Sequence, residues 1–291
     1  TIMKLSFVIP AHNEELSIGK CLDSIISEIK GRQQAIEIIV VNNASQDRTK
    51  KIALSYPNMT VVDEPVKGIV KARSRGLEEA TGELIANIDA DAMLPPGWVD
   101  KVFREFSENP NLICLSGPHI YYDLPPLTRF LVKLFYAVGF LVYLMNRFIL
   151  NIGSLVQGGN FICRKTALLL AGGYDVNIEF YGEDADIARR LHKLGDVKFT
   201  FGLPIYASGR RLAIEGLFTI ALRYAINYFW ITFLKKPYSK TSVDVRLRDS
   251  NSQLKYLPKN KKKEWLIGAI SFGILSFILV GFGFVIYHLI R

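Results

Sequence analysis

Apolar and polar positions come in alternating blocks along the first hundred residues. "KLSFVIPAHNEE" opens with an apolar run, Leu5 to Ile9, that reads as a strand stopped by Pro10 and a polar turn; Ile18, Leu22, Ile25, Ile26 and Ile29 then recur at helical spacing. "IEIIVVNNASQDRT" repeats the unit, with a strand from Ile36 to Val41 and a polar loop after it. "MTVVDE" predicts a third strand and "ELIANIDADA" a fourth. Between them "GIVKARSRGLEEATG" predicts a helix with Ile69, Ala72, Gly76 and Ala80 inward, and "GWVDKVFREF" predicts another. Strands that are apolar throughout, alternating with helices, are the pattern of a mostly parallel α/β sheet covered on both faces. In such sheets ligands bind beyond the carboxyl ends of the strands. The polar clusters His12–Glu14, Asn42–Asp47 and Asp89–Asp91 all fall at those ends, so three segments are expected to converge on one rim.

Two later stretches change the picture. Leu127 to Leu150 is strongly apolar, with Arg129, Lys133, Tyr136, Tyr143 and Arg147 on one narrow stripe. That pattern predicts a helix lying in a membrane interface, or else an amphipathic core helix. Ala213 to Leu234 is similar without a clean stripe. Trp265 to Ile290 holds no Asp, Glu, Lys or Arg; as a helix at ~1.5 Å per residue it reaches across a hydrocarbon core of ~30 Å. The expected organisation is a catalytic domain over 1–212, a basic membrane-proximal region over 213–264 and one transmembrane helix over 265–290.

Charge sharpens this. The formal net charge is +9, yet residues 1–200 hold 22 Lys and Arg against 23 Asp and Glu, whereas residues 201–264 hold 13 against 4. Lys259, Lys261, Lys262 and Lys263 stand directly before the uncharged segment. By the positive-inside rule they belong on the cytoplasmic side, near anionic headgroups. The expected localisation is therefore a single-pass membrane protein with a cytoplasmic catalytic domain. Nucleic acid is not an expected partner, because no recognition motif accompanies the basic stretch. Cys21, Cys114 and Cys163 show neither pairing nor metal spacing.

Asp89-Ala90-Asp91 ends a predicted strand. Residues two apart on a strand point the same way, so both carboxylates can reach one hard divalent cation, Mg²⁺ or Mn²⁺, which keeps positions open for phosphate oxygens. Further on, "YGEDADIARRL" crowds Glu183, Asp184 and Asp186 into one helix start, where mutual repulsion is expected to raise at least one carboxyl pKa.

Taken in order, "FVIPAHNEE", "VVNNASQDRT", "KGIVKARSRGLEEATGELI", "DADA", "GGNFICRKTALLLAGGYD", "YGEDADIARRLHKLG" and "SGRRL" resemble the inverting family 2 glycosyltransferases of GT-A fold. The resemblance spans roughly Lys4 to Leu212. It implies that Pro10, Ala11, His12 and Glu14 line the nucleotide pocket, that Asn43 faces the base, and that Asp47 supports the loop. It puts Lys71 and Arg73 near the nucleotide and diphosphate, Asp89 on the ribose and Asp91 on the metal. It implies Asp184 as the base that takes the acceptor proton, with Glu183 beside it and Asp186 structural. Gly158, Gly159 and Asn160 would border donor sugar and acceptor; Arg210 and Arg211 would meet a diphosphate, an acceptor phosphate or lipid phosphate. Family members often carry Asp where Asn43 stands, so a UDP- and a GDP-linked donor both stay open.

The expected activity is metal-dependent, inverting sugar transfer from a nucleotide-diphosphate donor to a lipid-linked or membrane-delivered acceptor. Sugar-nucleotide synthesis by nucleotidyl transfer is the rival enzyme class, although "PAHNEELS" is not the Gly-rich, basic loop that it needs. An inactive membrane-tethered binder is the third reading. The first requires Asp91 and Asp184 to face one cavity.

Overall fold

The computed structural model describes residues 3–151, 155–239 and 243–245 of the chain. The uncharged segment Trp265–Ile290 and the lysines before it lie outside the described residues. In chain order the elements are β1 (Leu5–Ala11), α1 (Ile18–Ile29), β2 (Ile36–Asn43), α2 (Thr49–Leu54), β3 (Thr60–Glu64), α3 (Ile69–Glu79), β4 (Leu84–Ile88), β5 (Ala92–Met93), α4 (Trp98–Glu108), β6 (Leu112–Ser116) and β7 (His119–Tyr121). Then follow α5 (Pro126–Met145), β8 (Asn160–Arg164), α6 (Lys165–Leu170), α7 (Glu183–Leu191), β9 (Asp196–Phe199), β10 (Ile205–Ala207), α8 (Arg210–Glu215) and α9 (Leu217–Phe229).

The four predicted strands are the parallel half of a seven-stranded sheet, ordered β3-β2-β1-β4-β8-β6-β9. Strand β8 runs antiparallel to both its neighbours, β4 and β6, and β6 pairs parallel with β9. Period-two alternation splits each strand between two cores. Leu5, Phe7 and Ile9 enter one with Trp98, Val102 and Phe106 of α4; Val8 and Ile85 enter the other with Val70 and Leu77 of α3 and Ile187 of α7. Gly76 lets α3 lie on β1, because a Cβ there would stand 2.3 Å from Cγ1 of Val8. A second sheet, β5-β10-β7, ties segments far apart in sequence into one rim. It brings Asp91, His119 and Arg210 to the same opening.

Helix α5 resolves the stripe in a way the helical wheel did not anticipate. Arg129 and Lys133 are exposed, but Tyr136, Tyr143 and Arg147 turn toward the protein. Tyr136 donates to Gln157 Oε1 at 2.8 Å, and Arg147 donates to the Val197 carbonyl at 2.7 Å. Buried backbone and amide groups need partners, and the stripe supplies them. Leu127, Phe130, Leu134 and Leu141 are left exposed, and only Val132 and Tyr143 of α5 are buried. This is not the packing of a core helix. By length and composition alone, Pro126–Ile149 and Leu217–Leu234 could each cross a membrane.

Candidate active site

The carboxyl ends of β1, β2 and β4 open onto a cavity of about 780 Å³. Its walls include Pro10, Ala11, His12, Glu14, Asn43, Lys71, Arg73, Asp89, Asp91, Gly158, Glu183, Asp184, Arg210 and Arg211. Asp91 and Asp184 therefore face one space.

Strand β1 ends in a loop held from β2. The His12 imidazole donates through Nδ1 to the Asn43 carbonyl. Asp47 accepts from the Glu15 amide at 3.0 Å and the Thr49 amide at 2.9 Å, an Asx-type closure. The Asn43 side chain is 3% exposed. Its amide donates to the Glu64 and Val66 carbonyls at 3.1 and 2.8 Å, and its oxygen accepts from Gly68 at 2.8 Å. Both donors are spent, so Asn43 staples the segment entering α3 where the sequence put it against a base.

At the opposite wall, Gly158 and Gly159 lead into β8. The Gly158 amide donates to Asp184 Oδ2 at 3.2 Å, and the Asp89 amide donates to the Gly159 carbonyl at 3.4 Å. Gly159 has φ +78°, and a Cβ there would lie 2.1 Å from Asp89 Oδ2; only glycine suits both. The structure places Asn160 outside the cavity. It is fully buried and donates to the Gly117 and Leu203 carbonyls at 3.0 and 2.8 Å. Gly159 likewise is not on the cavity wall and reaches the site only through its carbonyl, which accepts from the Asp89 amide.

Two arginines organise the carboxylates. Arg73, on α3, is 2% exposed; it pairs with Asp89 at 3.0 Å and with Glu183. Arg73 is thus a buried residue of the cavity wall whose partners are protein carboxylates, and not part of a solvated helix face. Arg210, at the start of α8, grips both oxygens of Glu14 and lies 3.1 Å from Asp91 Oδ2. Glu14 is thereby engaged by Arg210. Arg211 instead pairs with Glu215 at 2.8 Å and lies over the Phe180 ring. Asp186 pairs with Arg189 and Arg190 at 2.8 and 2.7 Å, a structural anchor for α7.

Burial is the main electrostatic force here. It pushes the Glu183 carboxyl up to about 7 against the pull of Arg73. It pushes Asp91 up to about 7 against Arg210, with Glu14 and Asp89 adding repulsion. Asp184 is raised by burial, opposed by the amides of Ala185 and Gly158. Repulsion within the acidic cluster, the cause expected from sequence, ranks behind burial in each case. His119 is pushed down to about 4 by burial, and its Nε2 finds no hydrogen-bond partner. His119, Tyr121 and Tyr224 line the cavity without any periodicity or motif that marks them.

Among the described residues no group of three or more acidic, His or Cys side chains forms a ready metal cage. Mg²⁺ and Mn²⁺ do not need one, since one or two carboxylates plus phosphate oxygens suffice. Asp91 and Asp89 offer hard oxygens, and three carboxylates crowd around Arg210 in this corner. The donor set fits such an ion.

The Glycosyl transferase family 2 profile matches residues 6–169. The dolichyl-phosphate beta-glucosyltransferase ALG5A of Trichomonas vaginalis is 37% identical over 97 residues, 30% of this chain and 30% of that protein. The dolichol-phosphate mannosyltransferase of Pyrococcus furiosus is 31% identical over 106 residues, 35% of this chain and 30% of that protein. The chain thus spans about a third of the length of the curated relatives it matches. The mannosyltransferase PcManGT from Pyrobaculum calidifontis, solved with GDP-Man and Mn²⁺, superposes with a TM-score of 0.60 at 18% identity over 82% of this chain and 66% of that one. A mostly parallel sheet between two helical layers, an acidic rim at its carboxyl edge and a profile covering more than half the sequence agree: the chain belongs to glycosyl transferase family 2.

Proposed function

We propose that this protein transfers a hexose, with inversion, from a UDP- or GDP-linked donor to a lipid-linked acceptor at the cytoplasmic face of a membrane. The carrying observation is that Asp91 and Asp184 line the same cavity. The names of the dolichyl-phosphate relatives support the acceptor class, and the neighbour solved with GDP-Man and Mn²⁺ supports the donor class and a divalent cation. The exposed apolar side chains of α5 support membrane contact. The anchor is the uncharged segment Trp265–Ile290, with the lysines before it on the cytoplasmic side.

The roles follow from the chemistry of each group. Pro10, Ala11 and His12 shape the nucleotide side of the cavity, and Asn43 holds its floor. Asp91, with Asp89 beside it, would hold Mg²⁺ or Mn²⁺, which when bound supplies positive charge against the leaving diphosphate. Asp184 accepts the proton of the acceptor hydroxyl as that oxygen bonds to the anomeric carbon and the bond to the diphosphate breaks. A single displacement inverts the anomeric centre. Arg73 keeps Glu183 and Asp89 in register, and Glu183 Oε2, buried without a hydrogen-bond partner, is free to accept from a sugar hydroxyl.

The test is full-length protein in detergent with UDP- and GDP-hexoses, Mn²⁺ or Mg²⁺, and polyprenyl phosphates, read by lipid-product mass and anomeric NMR. Release of pyrophosphate, or a retained anomer, overturns the reading.

A further inference from the structure

A second cavity, of about 200 Å³, lies between α5 and α9. Its walls are largely apolar: Val138, Gly139 and Val142 from α5, Ala221 and Ala225 from α9. It abuts the catalytic cavity: Asp184 and Tyr224 line both. We propose that this groove is a subsite for the hydrocarbon chain of the acceptor, seating the first carbons behind the reacting head group. The inference rests on the lipid-acceptor reading given above and adds where the lipid lies.

Three observations carry it. First, a mostly apolar wall offers a sugar or nucleotide few hydrogen bonds, so a polar ligand entering here leaves most of its own groups unsatisfied. A hydrocarbon loses nothing and removes apolar wall from water. Second, Asp184 stands on the wall that the groove shares with the catalytic cavity, together with Tyr121, Gln157 and Tyr224. A chain lying along α5 and α9 therefore presents its head to the proposed base without a turn. Third, the groove lies beside surface that already suits a bilayer. Phe229 and Phe233 line the groove and are also exposed, so a chain too long for 200 Å³ continues along apolar side chains. Gly139 marks the groove's width: a Cβ built there meets nothing within 4 Å.

That open space makes the proposal testable by filling it. Gly139→Leu, with Ala221→Leu as an independent second variant, narrows the groove without touching a proposed catalytic group. Full-length protein is assayed for binding of farnesyl phosphate and of its one-unit analogue, dimethylallyl phosphate, with UDP and GDP binding as the control for folding. The wild type is expected to prefer the longer chain. Each variant is expected to lose about tenfold in farnesyl phosphate affinity while its affinity for dimethylallyl phosphate and nucleotide holds. A diazirine-bearing farnesyl phosphate is expected to label Val138, Val142, Ala221 or Ala225 in the wild type. If wild-type protein binds the lipid but both variants keep full chain-length preference, and label falls only on Leu127, Phe130 and Leu141, the groove assignment is wrong while a lipid acceptor stands. The groove assignment is equally wrong if residues 265–290 occupy that space and exclude the label. If wild-type protein binds neither lipid and glycosylates only water-soluble acceptors, the underlying reading fails and the groove with it.

Discussion

The guanidinium of Arg210 lies 3.1 Å from Asp91 while also gripping both oxygens of Glu14. An arginine from the last short helix thus sits on the carboxylate proposed to hold a divalent cation. Its charge and the ion's compete for Asp91 until a diphosphate arrives to share them. Arg210→Ala is expected to tighten Mn²⁺ binding to nucleotide-free protein, read by the electron paramagnetic resonance signal of free Mn²⁺, and to weaken UDP or GDP binding. Removing Arg210 from buried Glu14 and from Asp91 is expected to cost about 3 kcal/mol of stability, with less lost in Arg210→Lys. Unchanged Mn²⁺ affinity in Arg210→Ala would show that the two cations do not compete.

Asp184→Asn keeps one acceptor oxygen: the Ala185 amide can stay on Oδ1, at 2.8 Å, while the longer 3.2 Å bond from the Gly158 amide to Oδ2 is given up. The fold and nucleotide binding are therefore expected to survive while kcat falls by roughly 10²–10⁴. A thermal shift with UDP or GDP separates this from misfolding. Near-wild-type turnover removes Asp184 as the base.

The pH profile carries a sign. Asp184 must be ionised to accept a proton, and burial raises its pKa. Activity is therefore expected to fall, as pH drops, at a higher pH than an ordinary carboxylate gives. The residual turnover of Asp184→Asn should lack that limb. An acid limb at the same position in both proteins assigns it to another group.

Arg73 bridges Asp89 and Glu183 from inside the protein. Arg73→Met leaves both carboxylates without that charge, at an expected cost of about 3–5 kcal/mol near pH 8. Glu183 is already pushed up to about 7, and losing Arg73 pushes it further. A carboxyl raised in the folded state takes up its proton there first, and the stability tied to that proton is lost as pH rises through the folded value. The deficit is accordingly expected to shrink at pH 5, measured by urea denaturation at both values. A deficit independent of pH indicates a packing effect alone.

Gly159→Ala forces a side chain onto a backbone with φ +78° and into Asp89. An expected loss of about 1–3 kcal/mol should come with weaker nucleotide binding by calorimetry, since Asp89 must move.

Much of this site was legible in the sequence because parallel strands read as unbroken apolar runs, and their ends have only one place to go. That logic puts His12–Glu14, Asn42–Asp47 and Asp89–Asp91 on one rim; the start of α7 joins them only through the family resemblance. Helical spacing misjudged α3, where Arg73 points inward beside Ala72 and Gly76; a buried cation is invisible until its two carboxylates are known to converge. Asn160 looked like a ligand contact but is spent on backbone carbonyls, a demand set by tertiary neighbours; Asn43 lines the cavity while its amide serves the same kind of demand. The strands β5, β7 and β10 are two or three residues long, too short for any period. His119 and Tyr121 come to the cavity only through them.

The dipeptide Gly158-Gly159 joins the two halves of the site: one amide meets Asp184, and the next residue's carbonyl meets Asp89. The spacing between the nucleotide side and the acceptor side is thereby fixed by a few covalent bonds, whose lengths no repacking can adjust. Efforts to redirect the proposed transfer toward another sugar should leave that ruler alone and vary Val176–Phe180, a segment on the cavity wall that can change shape without altering how far apart the two ends are held.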